Sequence, residues 1–122
     1  MRKIFFAIVL TLACLLNAPA FAKDVWIFSG GNGSEWYVVD ETIEGDDKGK
    51  FRWTNAKLKL VGLNGEAEII SWNFTQTSPD GGRLANWVYE IVYEDGKRYN
   101  AEVLAGTNAE KILLYCLNHL GI

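Results

Sequence analysis

Few side chains of this 122-residue chain have the chemistry for catalysis, because it contains one histidine, His119, and two cysteines, Cys14 and Cys116. A Ser-His-Asp or Cys-His arrangement requires the imidazole to face the nucleophile. On a helix, Cys116 and His119 lie near each other but point about a quarter-turn apart. We therefore expect His119 on the surface near a helix C-terminus, where positive charge is favourable, and we predict no enzyme activity.

Metal and phosphate sites are also not predicted. The acidic cluster Glu41, Glu44, Asp46 and Asp47 does not have the spacing of a calcium-binding loop. A single histidine with so few cysteines does not supply a zinc ligand set. Residues 30–33 are rich in glycine, but they lead into an aromatic strand instead of a helix N-terminus, which a phosphate loop requires. No cofactor is expected.

Carboxylates on neighbouring strands are the remaining route to an enzyme, since glycoside hydrolysis uses a pair of them. The glutamates in question are Glu66, Glu68, Glu90, Glu94 and Glu102. Lys57 and Lys59 fall on the strand before Glu66 and Glu68, so cross-strand ion pairs are the simpler interpretation. A carboxylate-dependent hydrolase stays an alternative, as does an inhibitor of a periplasmic hydrolase that would insert the charged loop 79–83.

Tryptophans carry the binding hypothesis. The chain has five of them, namely Trp26, Trp36, Trp53, Trp72 and Trp87. A small sheet with one covering helix cannot easily bury all five, and exposed aromatic side chains are typical of protein or glycan contacts. The predicted binding residues are Trp36, Trp53, Trp87, Asp80 and Arg83. The function that follows is a non-catalytic module that recognises a protein or glycan.

Turn-forming segments divide the chain into pieces with the alternation of strands. The predicted strands are 25–29, 35–40, 51–61, 66–77, 84–94 and 97–104. Asn64-Gly65 and Asp95-Gly96 indicate two-residue hairpin turns of type I′. The apolar positions of strand 51–61 change parity, which predicts a bulge near Asn55. The first and sixth strands are expected at the edges, where a homodimer can form by strand pairing.

The final segment has the spacing of a helix. Thr107 and Glu110 fit a capping box, and Gly121 occupies the position of a C′ glycine. The apolar stripe at helical spacing consists of Ala109, Ile112, Leu113, Cys116, Leu117 and Leu120. The predicted fold is therefore α+β, an antiparallel meander of about six strands with one C-terminal helix packed on a face of the sheet, in a single domain over residues 23–122.

The N-terminal residues have the three parts of a secretory signal peptide. Arg2 and Lys3 precede the uncharged apolar run 4–16, and Ala-Phe-Ala at 20–22 supplies the small residues of a cleavage site. Removal of residues 1–22 leaves 100 residues with a net charge of −5, since the chain carries −3 and the signal holds two of its basic residues. An alternative is acylation of Cys14.

This signal predicts an exported bacterial protein, periplasmic, secreted or on the cell surface, with no stable membrane insertion after cleavage. The acidic charge argues against nucleic acid as a partner. Cys116 would be the only cysteine of the mature protein, so it cannot form an intramolecular disulfide and is expected to be buried.

The opening of the mature chain resembles a known family. Trp-Ile-Phe-Ser at 26–29, a Gly/Asn-rich turn, and Trp-Tyr-Val-Val-Asp-Glu-Thr-Ile at 36–43 are similar to the start of surface-adhesin protein E-like domains. The resemblance implies a small exported protein with a sheet and a helical cover. Members of that family bind host matrix and serum proteins, so it also implies a non-enzymatic binding role. No binding residue of the family matches a position here.

Overall fold

Alternating apolar and polar residues build one antiparallel sheet within residues 24–122, the part of the chain that the computed structural model describes. The strands are β1 (Asp24–Ser29), β2 (Glu35–Val39), β3 (Glu44–Asp46), β4 (Trp53–Val61), β5 (Ala67–Gln76), β6 (Trp87–Val92) and β7 (Arg98–Glu102). A helix, α1 (Asn108–Leu120), follows β7. The predicted α+β fold is confirmed, with the short β3 as an additional strand. The predicted signal peptide, 1–22, lies outside the described residues.

The strand order is β1-β2-β4-β5-β6-β7, and β3 also pairs with β4. The second strand, β2, pairs with the C-terminal half of β4, from Leu58 to Val61, whereas β3 pairs with its beginning, from Trp53 to Asn55. A short 3₁₀ helix, Asp40–Thr42, joins β2 to β3. The sheet thus ends on β1 and β7, which correspond to the two predicted edge strands.

The register of β4 corrects the prediction of a bulge near Asn55. All residues of β4 pair in sequence with β5, from Trp53 opposite Thr75 to Val61 opposite Ala67. The parity of the apolar residues changes because Trp53 lies on the face opposite to Leu58, not because the strand is irregular. The only register shift of the β1–β2 pair lies in β1, between Trp26 and Phe28.

The register also corrects the predicted cross-strand ion pairs. Lys57 lies opposite Ser71 and Lys59 opposite Ile69, so neither faces Glu66 or Glu68. A shift of one position moves a side chain to the other face of the sheet. Lys59 instead forms an ion pair of 2.8 Å with Asp24.

Three hairpin turns have one geometry, which differs from the predicted two-residue type I′ turn. In each turn, the carbonyl of the first residue accepts from the amide of a glycine three positions later, and the amide of the first residue donates to the carbonyl of the fifth residue. The three turns span residues 30–34, 62–66 and 93–97. The glycines, Gly33, Gly65 and Gly96, have φ of 87°, 85° and 89°. The preceding Asn or Asp side chain accepts from the amide two positions later. These are three-residue loops with a left-handed glycine.

Local signals define α1 as predicted. The Thr107 hydroxyl accepts from the Glu110 amide, and the Glu110 carboxylate accepts from the Gly106 amide at 3.0 Å. Gly121 ends the helix with φ of 74°. The buried stripe consists of Ala109, Ile112, Leu113, Cys116 and Leu117. Within residues 24–122, no helix has the length and apolar character needed to span a membrane.

Side-chain bonds attach α1 to the sheet at two places. The Tyr115 hydroxyl donates to Asp40 Oδ1 at 2.7 Å, next to β2. At the other end, Arg83 donates to the Ile122 carbonyl at 3.1 Å and to Asn118 Oδ1 at 2.8 Å. The helix lies against β1, β3 and β4. Aromatic side chains therefore have to cover the part of this face that lies nearer to β7.

Candidate binding surface

A row of contacting aromatic rings crosses the sheet on the face that carries α1. This aromatic row consists of Phe28, Trp36, Trp72, Tyr89 and Tyr99. Successive ring centroids lie 5.6, 5.9, 5.3 and 6.2 Å apart. The rings come from β1, β2, β5, β6 and β7, at positions where strand alternation turns the side chain toward the helix. Ring pairs at such distances stabilise each other beyond the area that they bury.

Burial is greatest in the middle of the aromatic row. Trp72 is 5% exposed, whereas Trp36 and Tyr89 are half-buried and Tyr99 is 53% exposed. The indole N–H of Trp72 is buried and has no hydrogen-bond partner among the described residues. Burial raises the pKa of Tyr89, with smaller contributions from Tyr99 and Tyr93. Trp36, Tyr89 and Tyr99 thus present ring surface to solvent, whereas Trp72 and the terminal Phe28, at 7% exposure, belong to the core.

A cleft of about 310 Å³ lies beside the row at the end of the sheet that carries the three similar turns. This acidic cleft is lined by Asn32, Ser34, Leu60, Gly62, Glu66, Ala67, Glu68 and Glu94. Leu60 is the direct cross-strand neighbour of Trp36. A Cβ on Gly30 would lie 2.5 Å from Ser34 Oγ and 3.6 Å from Trp36 Nε1, so the indole of Trp36 lies near Ser34, which lines the cleft. The cleft and the row therefore adjoin where Leu60 pairs with Trp36.

Carboxylates determine the charge of the cleft. Glu94 Oε2 accepts from the Ile69 amide at 2.8 Å, and Glu68 Oε2 accepts from the Glu94 amide at 3.3 Å. Glu66 is exposed. None of the described residues that line the cleft is basic. The cleft therefore suits cations and hydrogen-bond donors and disfavours anions.

The predicted tryptophans do not form one site. Trp36 borders the acidic cleft, but Trp53 is half-buried and faces the opposite side of the sheet. Trp87 is only 2% exposed, and its indole N–H donates to the Arg83 carbonyl at 2.8 Å. Its interpretation as a binding residue is therefore corrected, because a side chain with almost no surface belongs to the core.

Asp80 and Arg83 lie far from Trp36, since their loop follows β5 and the acidic cleft adjoins the strand's beginning. The guanidinium of Arg83 donates from Nε to Ile122 and from Nη2 to Asn118, so it holds the C-terminal end of α1. Asp80 uses its backbone, since its amide donates to Ser78 and its carbonyl accepts from Asn86. This arrangement assigns Arg83 a structural role.

The most exposed tryptophan, Trp26 at 55%, is absent from the predicted binding set. Its indole N–H donates to Glu35 Oε1 at 2.7 Å, as does the Ser29 hydroxyl at 2.7 Å. The bond from Ser29 and then that from Trp26 lower the pKa of Glu35. A second groove, of about 270 Å³, runs between β1 and α1 past Trp26, Ile27, Lys111, Leu114, Tyr115 and Asn118.

Sequence reasoning also missed Tyr89 and Tyr99, although alternation placed Tyr89 on the face of Trp87. Glu68 and Glu94 were interpreted as ordinary residues of a wet sheet surface. Their convergence depends on the register of β5 with β6 and on three turns meeting at one end. Sequence patterns do not specify such contacts between hairpins.

The thiol and the imidazole are separate from this surface. Cys116 has 0% exposure, and burial raises the pKa of its thiol to about 12, so the thiol is protonated at neutral pH. His119 is exposed, and its ring stacks on that of Tyr115 with the centroids 6.4 Å apart. Among residues 24–122, no group of three or more His, Cys, Asp or Glu side chains is placed to hold a metal ion.

Comparison with protein-family models, curated proteins and solved structures finds no match for this chain.

Proposed function

We propose that this protein is an exported, non-catalytic binding module that holds a basic segment of a partner protein across the aromatic row and the acidic cleft. One observation carries the proposal: the partly exposed rings of Trp36, Tyr89 and Tyr99, joined through the buried Trp72, adjoin a cleft lined by three carboxylates. The similarity of residues 25–43 to surface-adhesin protein E-like domains is in keeping with it.

Charge complementarity favours a basic protein segment over a glycan. The apolar stem of a lysine or arginine packs on an aromatic ring, and its cationic head is attracted by the ring face and by nearby carboxylates. When they are ionised, Glu66, Glu68 and Glu94 accept hydrogen bonds and donate none. A neutral sugar requires donors as well as acceptors, but the Ser34 hydroxyl already donates to Asn32 Oδ1, so the Asn32 amide is the main side-chain donor left among the residues that line the cleft. An anionic glycan would be repelled. Glycan binding is therefore the alternative outcome that the experiment below has to distinguish.

Hydrolysis by the same carboxylates has less support. Glu68 and Glu94 each use an oxygen to accept a backbone amide, which fixes them as parts of the turn structure.

The test is a titration of the protein with three extended peptides of equal apolar content, one rich in lysine, one neutral and one acidic, alongside a panel of neutral glycans. The lysine-rich peptide should bind best, and rising salt should weaken it because Coulomb attraction is screened. Glu66→Gln and Tyr99→Ala should each weaken binding several-fold, since one removes a charge and the other an exposed ring.

Trp26→Ala is the matched control, because it removes an equally exposed aromatic ring that belongs to neither the aromatic row nor the acidic cleft. Equal weakening by Trp26→Ala and Tyr99→Ala would contradict the placement of the site. Glycan binding without peptide binding would replace the proposed partner. Equal affinity for the basic and acidic peptides would refute the role of the carboxylates.

A further inference from the structure

The edge strand β7 has unused backbone hydrogen-bonding groups at alternate residues. The Val103 amide donates to the Trp87 carbonyl, and the Tyr93 amide donates to the Lys97 carbonyl. In an antiparallel ladder, residues that exchange such bonds alternate with residues that do not. The odd-numbered residues of β7 therefore bond to β6. The N–H and C=O groups of Arg98, Asn100 and Glu102 point outward, away from the sheet.

Within the described residues, β7 has neither a bulge nor a proline to block pairing at this edge. Natural edge strands are kept apart by bulges, prolines, short length or charged side chains, and the charges of β7, on Arg98 and Glu102, are of opposite sign. The opposite edge, β1, has such a bulge between Trp26 and Phe28. The pairing of β7 with β6 is regular from Arg98 to Glu102, and β7 contains no proline. Four of its five residues are exposed.

We propose that β7 pairs with β7 of a second copy of this chain, antiparallel, around a two-fold axis through Asn100. Arg98 then lies opposite Glu102 of the second copy, and Glu102 opposite Arg98 of the second copy. Opposite charges that face each other across strands stabilise the pair. Glu102 has no ion-pair partner among residues 24–122, whereas Arg98 contacts Glu90 at 2.9 Å and can hold both carboxylates.

Backbone bonding selects the same register. With Asn100 on the axis, all three outward-pointing residues form bonded pairs, and two bonds for each pair give about six in total. A shift by two residues leaves two such pairs and places Arg98 opposite a neutral asparagine. A shift by one residue would bring the two opposite faces of the sheets together. The strand sequence Arg-Tyr-Asn-Ala-Glu is thus complementary to itself in one register.

The aromatic row continues through the proposed dimer. Tyr99 lies on the helix-bearing face, where it contacts Tyr89. In the proposed register, Tyr99 faces Ala101 of the second copy, and the two Tyr99 rings occupy diagonal positions, which large aromatic side chains can bridge. Both helices lie on the same face. Two binding surfaces then adjoin on one continuous sheet.

A five-residue strand buries little area, so the dimer is expected to be weak. The assay is analytical ultracentrifugation of the purified protein at concentrations from about 10 µM to about 1 mM. The average molecular mass should rise with protein concentration. Glu102→Arg should weaken association about tenfold, because it sets two pairs of like charges opposite each other. Asn100→Pro should also weaken it, because it removes an outward N–H while leaving the bonds to β6 intact. Glu41→Arg is the control, since it makes the same charge change at an exposed residue outside β7.

Mixing two variants provides a specific test. Arg98→Glu alone sets two glutamate pairs opposite each other and should weaken association as Glu102→Arg does. A mixture of Arg98→Glu with Glu102→Arg restores opposite charges at both positions and should associate as well as the natural chain. Thermal unfolding confirms that each variant is folded. A concentration-independent monomer, unchanged association of Glu102→Arg, or no recovery in the mixture would overturn the proposal.

Discussion

Replacement of Gly45 by alanine should disrupt the contact of β3 with β4. A Cβ at this position would lie 2.3 Å from the Trp53 carbonyl oxygen and 2.8 Å from Thr54 Cα, and the backbone has φ of 156°. Both neighbours are backbone atoms, which cannot rotate away as a flexible side chain would. To relieve the overlap, β3 has to move away from β4 by most of an ångström.

The cost follows from what this movement breaks. Overpacking in a well-packed site costs about 1–3 kcal/mol. The displacement also stretches the bond of 2.9 Å from the Thr54 hydroxyl to the Glu44 carbonyl, and such a bond contributes about 1 kcal/mol. We expect Gly45→Ala to lower the free energy of unfolding by about 2–4 kcal/mol, which corresponds to a decrease in Tm of roughly 8–30 °C.

The assay is urea unfolding followed by circular dichroism and tryptophan fluorescence. Gly49→Ala is the matched control: a Cβ there would meet only the Phe51 carbonyl oxygen, at 3.9 Å, and its φ is not positive. That variant should stay within about 0.5 kcal/mol of the natural protein. If Gly45→Ala is equally stable, β3 does not lie against β4 as described, and the reasoning is refuted.

Four further predictions concern particular groups. Arg83→Ala should lower stability by about 1–2 kcal/mol in urea unfolding but leave peptide binding unchanged; lost binding would contradict its structural role. The Cys116 thiol should resist Ellman's reagent at pH 8 and react fully in urea, so rapid labelling of the folded protein would contradict its burial. Burial, and then the bond to Asp40, raise the pKa of Tyr115 to about 12 in the folded protein, against about 10 in the unfolded chain. The contribution of Tyr115 to the free energy of unfolding is therefore complete below pH 10 and is lost as the pH rises toward 12. Tyr115→Phe should reduce that loss of unfolding free energy with pH, although Cys116 adds to the loss in the same range. Mass spectrometry of the exported protein should find Lys23 as its first residue, whereas an uncleaved N-terminus or a lipid on Cys14 would contradict the predicted signal peptide.

The fold was largely predictable because its signals are local. The helix follows from Thr107, Glu110 and Gly121, each of which acts within a few residues of the helix ends. Strand alternation likewise depends on neighbouring positions. The predicted turn geometry was wrong, since Asn-Gly and Asp-Gly fit both two-residue and three-residue loops, and the bonds of the flanking residues decide between them.

The candidate site was less predictable because it depends on contacts between distant strands. Trp36 and Trp87 both belong to alternating strands that face α1, so the sequence does not distinguish their exposure. The structure separates them by position: Trp87 lies near the loop that Arg83 fastens to α1, and Trp36 lies toward the turn end of the sheet, paired with Leu60 of the acidic cleft. Strand register and helix placement, which no local pattern specifies, decide which aromatic ring reaches solvent.

The helix α1 covers only part of the sheet face on which it packs. Some rings of the aromatic row therefore fill the core, whereas others present surface to a partner. Replacement of Trp72 would open a cavity in the core and unfold many of the molecules before any ligand is tested. Replacement of Tyr99, which keeps half of its surface in water, has little to destabilise. Partner preference can therefore drift through mutation at the margins of this surface while its centre stays under purifying selection for folding. A directed-evolution library should randomise Tyr99 and leave the buried Phe28 and Trp72 alone.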